Sequence, residues 1–368
     1  MSRRNPTRSV ASKQHDLHCL LVAAENEDIL VTVENGVGIL TLNRPKAINS
    51  LNHTMVTVLA RTLREWEHND DVHTVLLNGA GERGLCAGGD IVAIYHSAKA
   101  DGAEARQFWY DEYLLNAEIG GYPKPVVAVM DGIVMGGGVG VSAHGSVRIV
   151  TDTTKMAMPE VGIGFIPDVG GTYLLARAPG LTGLHAALTG APFTGADAIA
   201  MGFADHFVPH DQLAQFTDAL VADGVQAALS AHAIEPPASD LMEQRDWIDE
   251  CYAGETIIDI VAALRGHDAG PANDAANLIA SRSPISLAVA LEAVRRAGEL
   301  ETLKDVLRQE YRTSCGSLRS HDLVEGIRAQ IIDKDRNPKW NPSSIAAVTR
   351  ADVDSYFTPA DPDLTFPE

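Results

Sequence analysis

Strand-like apolar runs alternate along this chain with stretches of helical apolar spacing, and the mixture changes along its length. Ile29 to Glu34 and Val37 to Asn43 are strand-like and are joined by Asn35-Gly36. Both positions of that dipeptide tolerate positive φ, which favours a two-residue hairpin turn. From about His53 to His68, Met55, Val58, Leu59, Leu63 and Trp66 recur at helical spacing, with Asn52 placed to cap the first turn. The apolar run Thr74 to Asn78 predicts a buried strand, followed by a glycine-rich loop to Asp90. A helix is predicted from about Ala103 to Ile119 and, after Lys124-Pro125, a strand over Val126 to Met130. The Gly136-Gly137-Gly138 run opens a short helix, and strands follow near Val147 to Thr151 and Lys155 to Met158. Strands alternating with helices and glycine loops imply an α/β fold with mostly parallel strands. From about Gly180 the pattern turns mainly helical, starting with Leu181 to Thr189, Gly195 to Met201 and Asp211 to Leu220. Pro236-Pro237 marks a boundary. The expected organisation is a flexible arm over 1–28, an α/β core over 29–225 and a mainly helical C-terminal region over 226–368.

Composition narrows the function classes. The 368 residues, 45% of them hydrophobic, suffice for one large α/β domain with a smaller appendage or for two domains. A formal net charge of −20 argues against binding nucleic acid or an anionic membrane surface. No apolar run approaches the roughly 20 residues that span a bilayer. The N-terminus carries Arg3, Arg4, Arg8 and Lys13 and has no apolar stretch of signal-peptide type. It fits a transit peptide loosely, and a plain flexible tail is expected. Cys19, Cys86, Cys251 and Cys315 form no CxxC unit, and no histidine spacing suggests zinc. No metal is expected, and a reducing cytoplasm is the simplest location.

Two glycine loops carry the candidate chemistry. Gly79-Ala80-Gly81-Glu82-Arg83-Gly84 matches GxGxxG after a strand. A second loop, Ala87-Gly88-Gly89-Asp90, follows at once in place of a helix, which argues against a dinucleotide site. As a pair with the triple-glycine loop, it offers backbone amides with no side chain in the way. Two such amides can hold a thioester carbonyl oxygen and stabilise the charge that develops on it. The bland alternative is that these glycines serve tight turns and close packing. Glu160 and Asp168 bracket an apolar, glycine-containing segment. Desolvation there would raise their pKa and suit acid or base work. The alternative is a solvated loop carboxylate, with Asp168 capping a helix near Gly170. Cys86 reads as a small buried residue, and His96 and His144 have no partner pattern. Lys46 lies either near a nucleotide moiety or in solvent.

These residues resemble a known family. Thr41-Leu42-Asn43-Arg44-Pro45-Lys46-Ala47-Ile48-Asn49 resembles the opening signature of crotonases, the enoyl-CoA hydratase/isomerase proteins. Cys86-Ala87-Gly88-Gly89-Asp90 and Lys124 to Ala128 through Met135 to Gly138 resemble their two oxyanion loops. Met158-Pro159-Glu160 and Gly164 to Gly171 complete the pattern. The run Pro167-Asp168-Val169-Gly170-Gly171 resembles a hydrolase branch that acts on 3-hydroxyisobutyryl-CoA. So does a tail containing Glu310-Tyr311-Arg312, His321-Asp322, Glu325 to Ala329 and Pro338-Lys339-Trp340. Hydratases of the family carry a second catalytic glutamate where this chain has Gly140.

The resemblance implies a crotonase-like spiral of ββα units with a helical C-terminal region, often assembled as trimers. It implies an oxyanion hole from the Gly89 and Gly137 amides, with Glu160 and Asp168 as catalytic carboxylates. Glu112, Gly88 and Asp90 would contact substrate, and Lys46 and Ala47 would contact CoA. The implied reaction is hydrolysis of a short 3-hydroxyacyl-CoA, 3-hydroxyisobutyryl-CoA in valine breakdown, with CoA as part of the substrate and no further cofactor. Hydration or isomerisation of an enoyl-CoA is the enzymatic alternative, and a non-catalytic CoA-binding protein the other.

Overall fold

A computed structural model describes residues 27–367. All of the expected N-terminal arm except Glu27 and Asp28 lies outside the described residues. The strands are β1 (Ile29–Glu34), β2 (Val37–Leu42), β3 (Thr74–Gly79), β4 (Val126–Met130), β5 (Ile133–Met135), β6 (Val147–Val150), β7 (Lys155–Ala157), β8 (Phe193–Thr194) and β9 (His206–Phe207). The larger sheet has the order β1-β2-β3-β4-β6-β9. Only the β1–β2 pair is antiparallel; the other neighbours run parallel. Asn35 and Gly36 turn that hairpin at φ 48° and 83°. The smaller sheet, β5-β7-β8, sits beside it.

The first helices are α1 (His53–Glu67), α2 (Ile91–Lys99), α3 (Ala103–Gly120), α4 (Gly137–Ser142), α5 (Gly171–Leu175), α6 (Thr182–Thr189), α7 (Gly195–Ala200), α8 (Leu213–Asp223) and α9 (Val225–His232). The C-terminal helices are α10 (Asp240–Glu243), α11 (Arg245–Cys251), α12 (Ile257–Gly266), α13 (Gly270–Ser281), α14 (Pro284–Glu299), α15 (Leu303–Ser317), α16 (His321–Ile327) and α17 (Arg350–Tyr356). A single π-helical turn, Arg328–Ile332, continues α16.

Both faces of the central strands are buried, which is why they read as continuous apolar runs. Val75, Leu77, Val126, Ala128 and Met130 face the main core, shared with α1, α3 and the C-terminal helices. Leu76, Val127, Val129 and Ile149 face a smaller core closed by Phe216, Leu220 and Ala228 of α8 and α9. Ile234 then bridges Phe207 of β9, so the sheet layer continues past residue 225.

Asn52 caps α1 by accepting from the Met55 amide at 2.8 Å. Sequence periodicity gave no sign of α2, whose apolar residues cluster as Ile91, Val92, Ile94 and Tyr95, with Val92 facing solvent. It forms because Asp90 caps it and Ile94 packs into the core. Strand β5 is equally silent in the sequence. It exists through its parallel pairing with β7, twenty residues further on.

Candidate active site

Two loops stitched together as short strands present the free amides. The Cys86 amide donates to the Ile133 carbonyl at 3.1 Å, and the Met135 amide to the Cys86 carbonyl at 3.0 Å. On the other side, the Leu51 amide donates to the Gly88 carbonyl and the Asp90 amide to the Leu51 carbonyl, each at 2.8 Å. This pattern leaves the Gly89 amide unclaimed among the described residues. Gly137 is the first residue of α4, where a helix has no internal acceptor for its amide. A Cβ on Gly137 would lie 3.3 Å from the Gly89 nitrogen and 2.6 Å from Glu112 Oε1. Glycine keeps the space between the two amides open.

Three carboxylates surround that space. A cavity of about 300 Å³ is lined by Gly88, Gly89, Gly137, Glu112, Glu160 and Asp168, with Trp109 and Phe165 stacked at 5.1 Å on its apolar side. Glu112 comes from α3, facing the amides. Glu160 opens a tight turn, Glu160–Ile163, that Gly164 closes at φ 74°. A Cβ on Gly136 would stand 3.0 Å from Glu160 Oε1. Glu112 Oε1 and Glu160 Oε2 are buried with no hydrogen-bond partner among the described residues. Buried polar atoms are normally paired, so these two oxygens point to a ligand. Asp168 Oδ2 accepts from the Tyr113 hydroxyl at 2.5 Å, and that hydroxyl also meets Ser314 Oγ at 2.7 Å.

Burial dominates the electrostatics. It raises Glu112 and Glu160 well above the usual carboxylate range, and the charge on Asp168 raises both further. Asp168 is pushed up to about 7 by burial, against the opposing effect of the Tyr113 hydroxyl. A fourth carboxylate, Glu310 on α15, is pushed up to about 8 by burial. It accepts from the Gly170 amide at 2.6 Å, the Thr172 amide at 2.9 Å and the Thr172 hydroxyl at 2.5 Å. Burial and mutual repulsion both oppose ionisation in this cluster, an environment suited to acid–base work.

The segment after Asp168 fixes what stands opposite. Val169 adopts φ 55°, a costly conformation for a β-branched residue. His144 Nε2 holds it through a 2.8 Å hydrogen bond to its carbonyl. Burial lowers His144 to about 4, so it is a neutral donor. Val169 in this pose fills the space above Gly140. A Cβ on residue 140 would lie 2.6 Å from Val169 Cβ and 2.9 Å from Asn116 Nδ2. No carboxylate side chain fits there.

The structure gathers Gly88, Gly89, Gly137, Glu112, Glu160 and Asp168 around one cavity. Asp168 does not cap the following helix: the cap position of α5 is Gly170, and the carboxylate turns inward to Tyr113. Asp90 is not brought to this cavity. Its carboxylate caps α2 and pairs with Arg44 at 3.2 Å. Lys46 and Ala47 lie in the exposed turn Pro45–Ala47, whose carbonyls accept from Arg83, and do not line the cavity. Cys86 is inert: burial pushes its thiol up to about 12. Glu310, Tyr113 and Ser314 escaped sequence reasoning as site residues. The signal for Glu310 was an acid on the buried stripe Val306, Leu307, Tyr311 and Ser314 of an amphipathic helix.

Comparison with known proteins sets this site in context. A family model described as enoyl-CoA hydratase/isomerase matches residues 37–357. The chain belongs to the enoyl-CoA hydratase/isomerase family. Its crotonase fold is shared with a solved structure described as a carnitinyl-CoA dehydratase from Mycobacterium thermoresistibile. That chain is 73% identical, has a TM-score of 0.91, and the match covers 93% of this chain and 99% of the other. A second, described as an enoyl-CoA hydratase from Rhodobacter sphaeroides, is 40% identical with a TM-score of 0.88, over 92% and 100% of the two chains. A curated relative from Danio rerio, named 3-hydroxyisobutyryl-CoA hydrolase, mitochondrial, is 37% identical over 96% of this chain and 95% of its own length.

Proposed function

We propose that this family member is an acyl-CoA thioester hydrolase acting on 3-hydroxyisobutyryl-CoA, giving 3-hydroxyisobutyrate and CoA. The observation that carries this reading is the filled space above Gly140. Two-carboxylate hydration, as the family resemblance frames it, needs a second glutamate there, and Val169 and Asn116 occupy its place. In the proposed reaction the Gly89 and Gly137 amides polarise the thioester carbonyl. Glu160 takes a proton from a water that attacks the carbonyl, or adds to the carbonyl itself. The tetrahedral oxyanion collapses by breaking the carbon–sulfur bond, and CoA leaves as the thiol with a proton from Glu160 in the first route or from a neighbouring protonated carboxyl in the second. In the second route water then cleaves the mixed anhydride, which releases 3-hydroxyisobutyrate, frees Glu160 and reprotonates the donor carboxyl. Asp168, held by Tyr113, orients the 3-hydroxyl group, and Glu112 contacts the acyl group. CoA is part of the substrate, and no other cofactor or metal takes part.

The names of the two solved structures favour a second reading, hydration or dehydration of an acyl-CoA double bond. The deciding experiment follows free thiol release from 3-hydroxyisobutyryl-CoA beside loss of the enoyl chromophore of crotonyl-CoA and dehydration of carnitinyl-CoA. Fast thiol release with little double-bond chemistry supports the hydrolase. Rapid hydration or dehydration with no free thiol replaces it with the second reading.

Among the described residues, no helix is long and apolar enough to cross a membrane. The name of the Danio rerio relative places that protein in mitochondria and gives no support to the cytoplasmic location read from the cysteines. A reducing compartment stays part of the proposal because Cys86, Cys251 and Cys315 are free and buried. Self-association as trimers is likewise proposed on the family resemblance, and sedimentation velocity tests it.

A further inference from the structure

Arg282, between α13 and α14, lines the same cavity as the catalytic carboxylates. Its Nε and Nη2 both donate to the Thr189 carbonyl, at 2.9 Å and 2.6 Å. That double tie fixes the guanidinium plane. Nη1 has no hydrogen-bond or ion-pair partner among the described residues, although the chain carries a net charge of −20. Gly162, another lining residue, leaves room for it: a Cβ there would lie 3.1 Å from Nη1. Arg282 is the one Lys, Arg or His among the cavity-lining residues. Burial lowers its pKa, so the protein bears a desolvation cost at this position with no counter-charge paired to it among the described residues.

An arginine serving only to tie two segments needs no open donor facing a ligand cavity. One held off the catalytic carboxylates by a backbone carbonyl also leaves their shared protons undisturbed. We infer that Arg282 is an oxyanion-recognition residue of the acyl-CoA cavity, presenting its free guanidinium edge to a phosphate or carboxylate of the ligand. The inference rests on the reading that the cavity takes an acyl-CoA. Two sources supply such an oxyanion: the phosphates of the CoA moiety and the carboxylate of the released acid. A guanidinium edge suits either, because its N–H groups match planar or tetrahedral oxygen pairs.

Calorimetric binding separates these sources. CoA, pantetheine (which lacks the phosphates) and 3-hydroxyisobutyrate are titrated into the full-length wild type, Arg282→Gln and Arg282→Lys. Arg282→Gln is expected to weaken binding of one oxyanion ligand by about 10-fold or more, the scale of a charge-assisted hydrogen bond. Arg282→Lys restores part of the loss, and pantetheine binds all three proteins equally. Loss confined to CoA assigns the phosphate, and loss confined to 3-hydroxyisobutyrate assigns the carboxylate. Equal weakening of pantetheine and CoA overturns the inference, since Arg282 then acts only through its tie to Thr189. Unchanged binding of both anionic ligands overturns it too. Normal CoA binding without thioester cleavage by the wild type is a failure of the hydrolase reading alone.

Discussion

At Asp168 two effects compete. The Tyr113 hydroxyl, 2.5 Å away, favours the ionised carboxylate, while burial opposes it, and burial wins, with the carboxyl pushed up to about 7. The folded protein therefore binds this proton more tightly than the unfolded chain does. The stability that this binding contributes is present at acid pH and is lost as pH rises from the ordinary carboxylate range through about 7. Asp168→Asn keeps an acceptor for Tyr113 and removes the buried charge. It is expected to raise stability at pH 8 by roughly 1–4 kcal/mol, with the gain vanishing near pH 4. Urea unfolding at both pH values checks this, and a gain independent of pH would mean that the buried charge is not its origin. Glu160 carries the same signature. Glu160→Gln should lower kcat for thiol release by roughly 100- to 10,000-fold with an unchanged far-ultraviolet spectrum. Because burial and Asp168 both raise Glu160, the acid limb of kcat/KM should lie above the ordinary carboxylate range. A limb near pH 4 contradicts that environment.

Helix α16 holds the turn that carries Glu160. A Cβ on Gly326 would lie 2.3 Å from the Ile163 carbonyl carbon, and one on Gly164 would lie 2.0 Å from the Asp322 carbonyl oxygen. The two backbones touch through glycine, so Gly326→Ala must shift the turn. The expected cost is about 1–3 kcal/mol, the usual scale of overpacking, with a fall in kcat because Glu160 moves with the turn. A melting curve and turnover on one preparation test it; a lower Tm with full kcat would uncouple the helix from Glu160. On the other side of the cavity, Gly140→Glu restores the residue type of the hydratases but meets Val169 and Asn116. It should destabilise the fold and gain no crotonyl-CoA hydration, as the enoyl absorbance reads.

The C-terminal region belongs to the site as a whole. Glu310 ties α15 to the Gly170 loop, and Asp322, fully buried, accepts from Ser283 Oγ at 2.6 Å and the Asn341 amide at 2.7 Å. Gln330 and Ile331 of the π-helical turn form part of the cavity wall. A chain ending at residue 319 leaves the Gly164 face of the turn that carries Glu160 uncovered. It is expected to lose its cooperative thermal transition and to bind a hydrophobic dye. A sharp transition in that truncated chain would show the α/β core to be self-sufficient.

Local patterns alone determined the hairpin at Asn35-Gly36, the buried strands β3 and β4, helix α1 with its Asn52 cap, and the glycine loops. Each depends on neighbours in sequence: turn residues with positive φ, continuous apolar runs, period-3.6 apolar spacing, a capping side chain. Gly89, Gly137, Glu160 and Asp168 stand in short runs that the family resemblance singles out, whereas spacing alone left tight-turn and solvated-loop readings open. Only the tertiary structure decided the rest. Helix α2 and strand β5 form through burial and pairing with distant segments. Asp90 turns to Arg44, which the fold brings beside it from 46 positions away, and Lys46 stays on an exposed turn. Tyr113 reaches Asp168 across 55 positions of chain, Glu310 reaches Gly170 across 140, and Ser314 reaches Tyr113 across 201. The proton affinity of the carboxylate cluster comes from desolvation and mutual repulsion, and both exist only once the chain has closed around them.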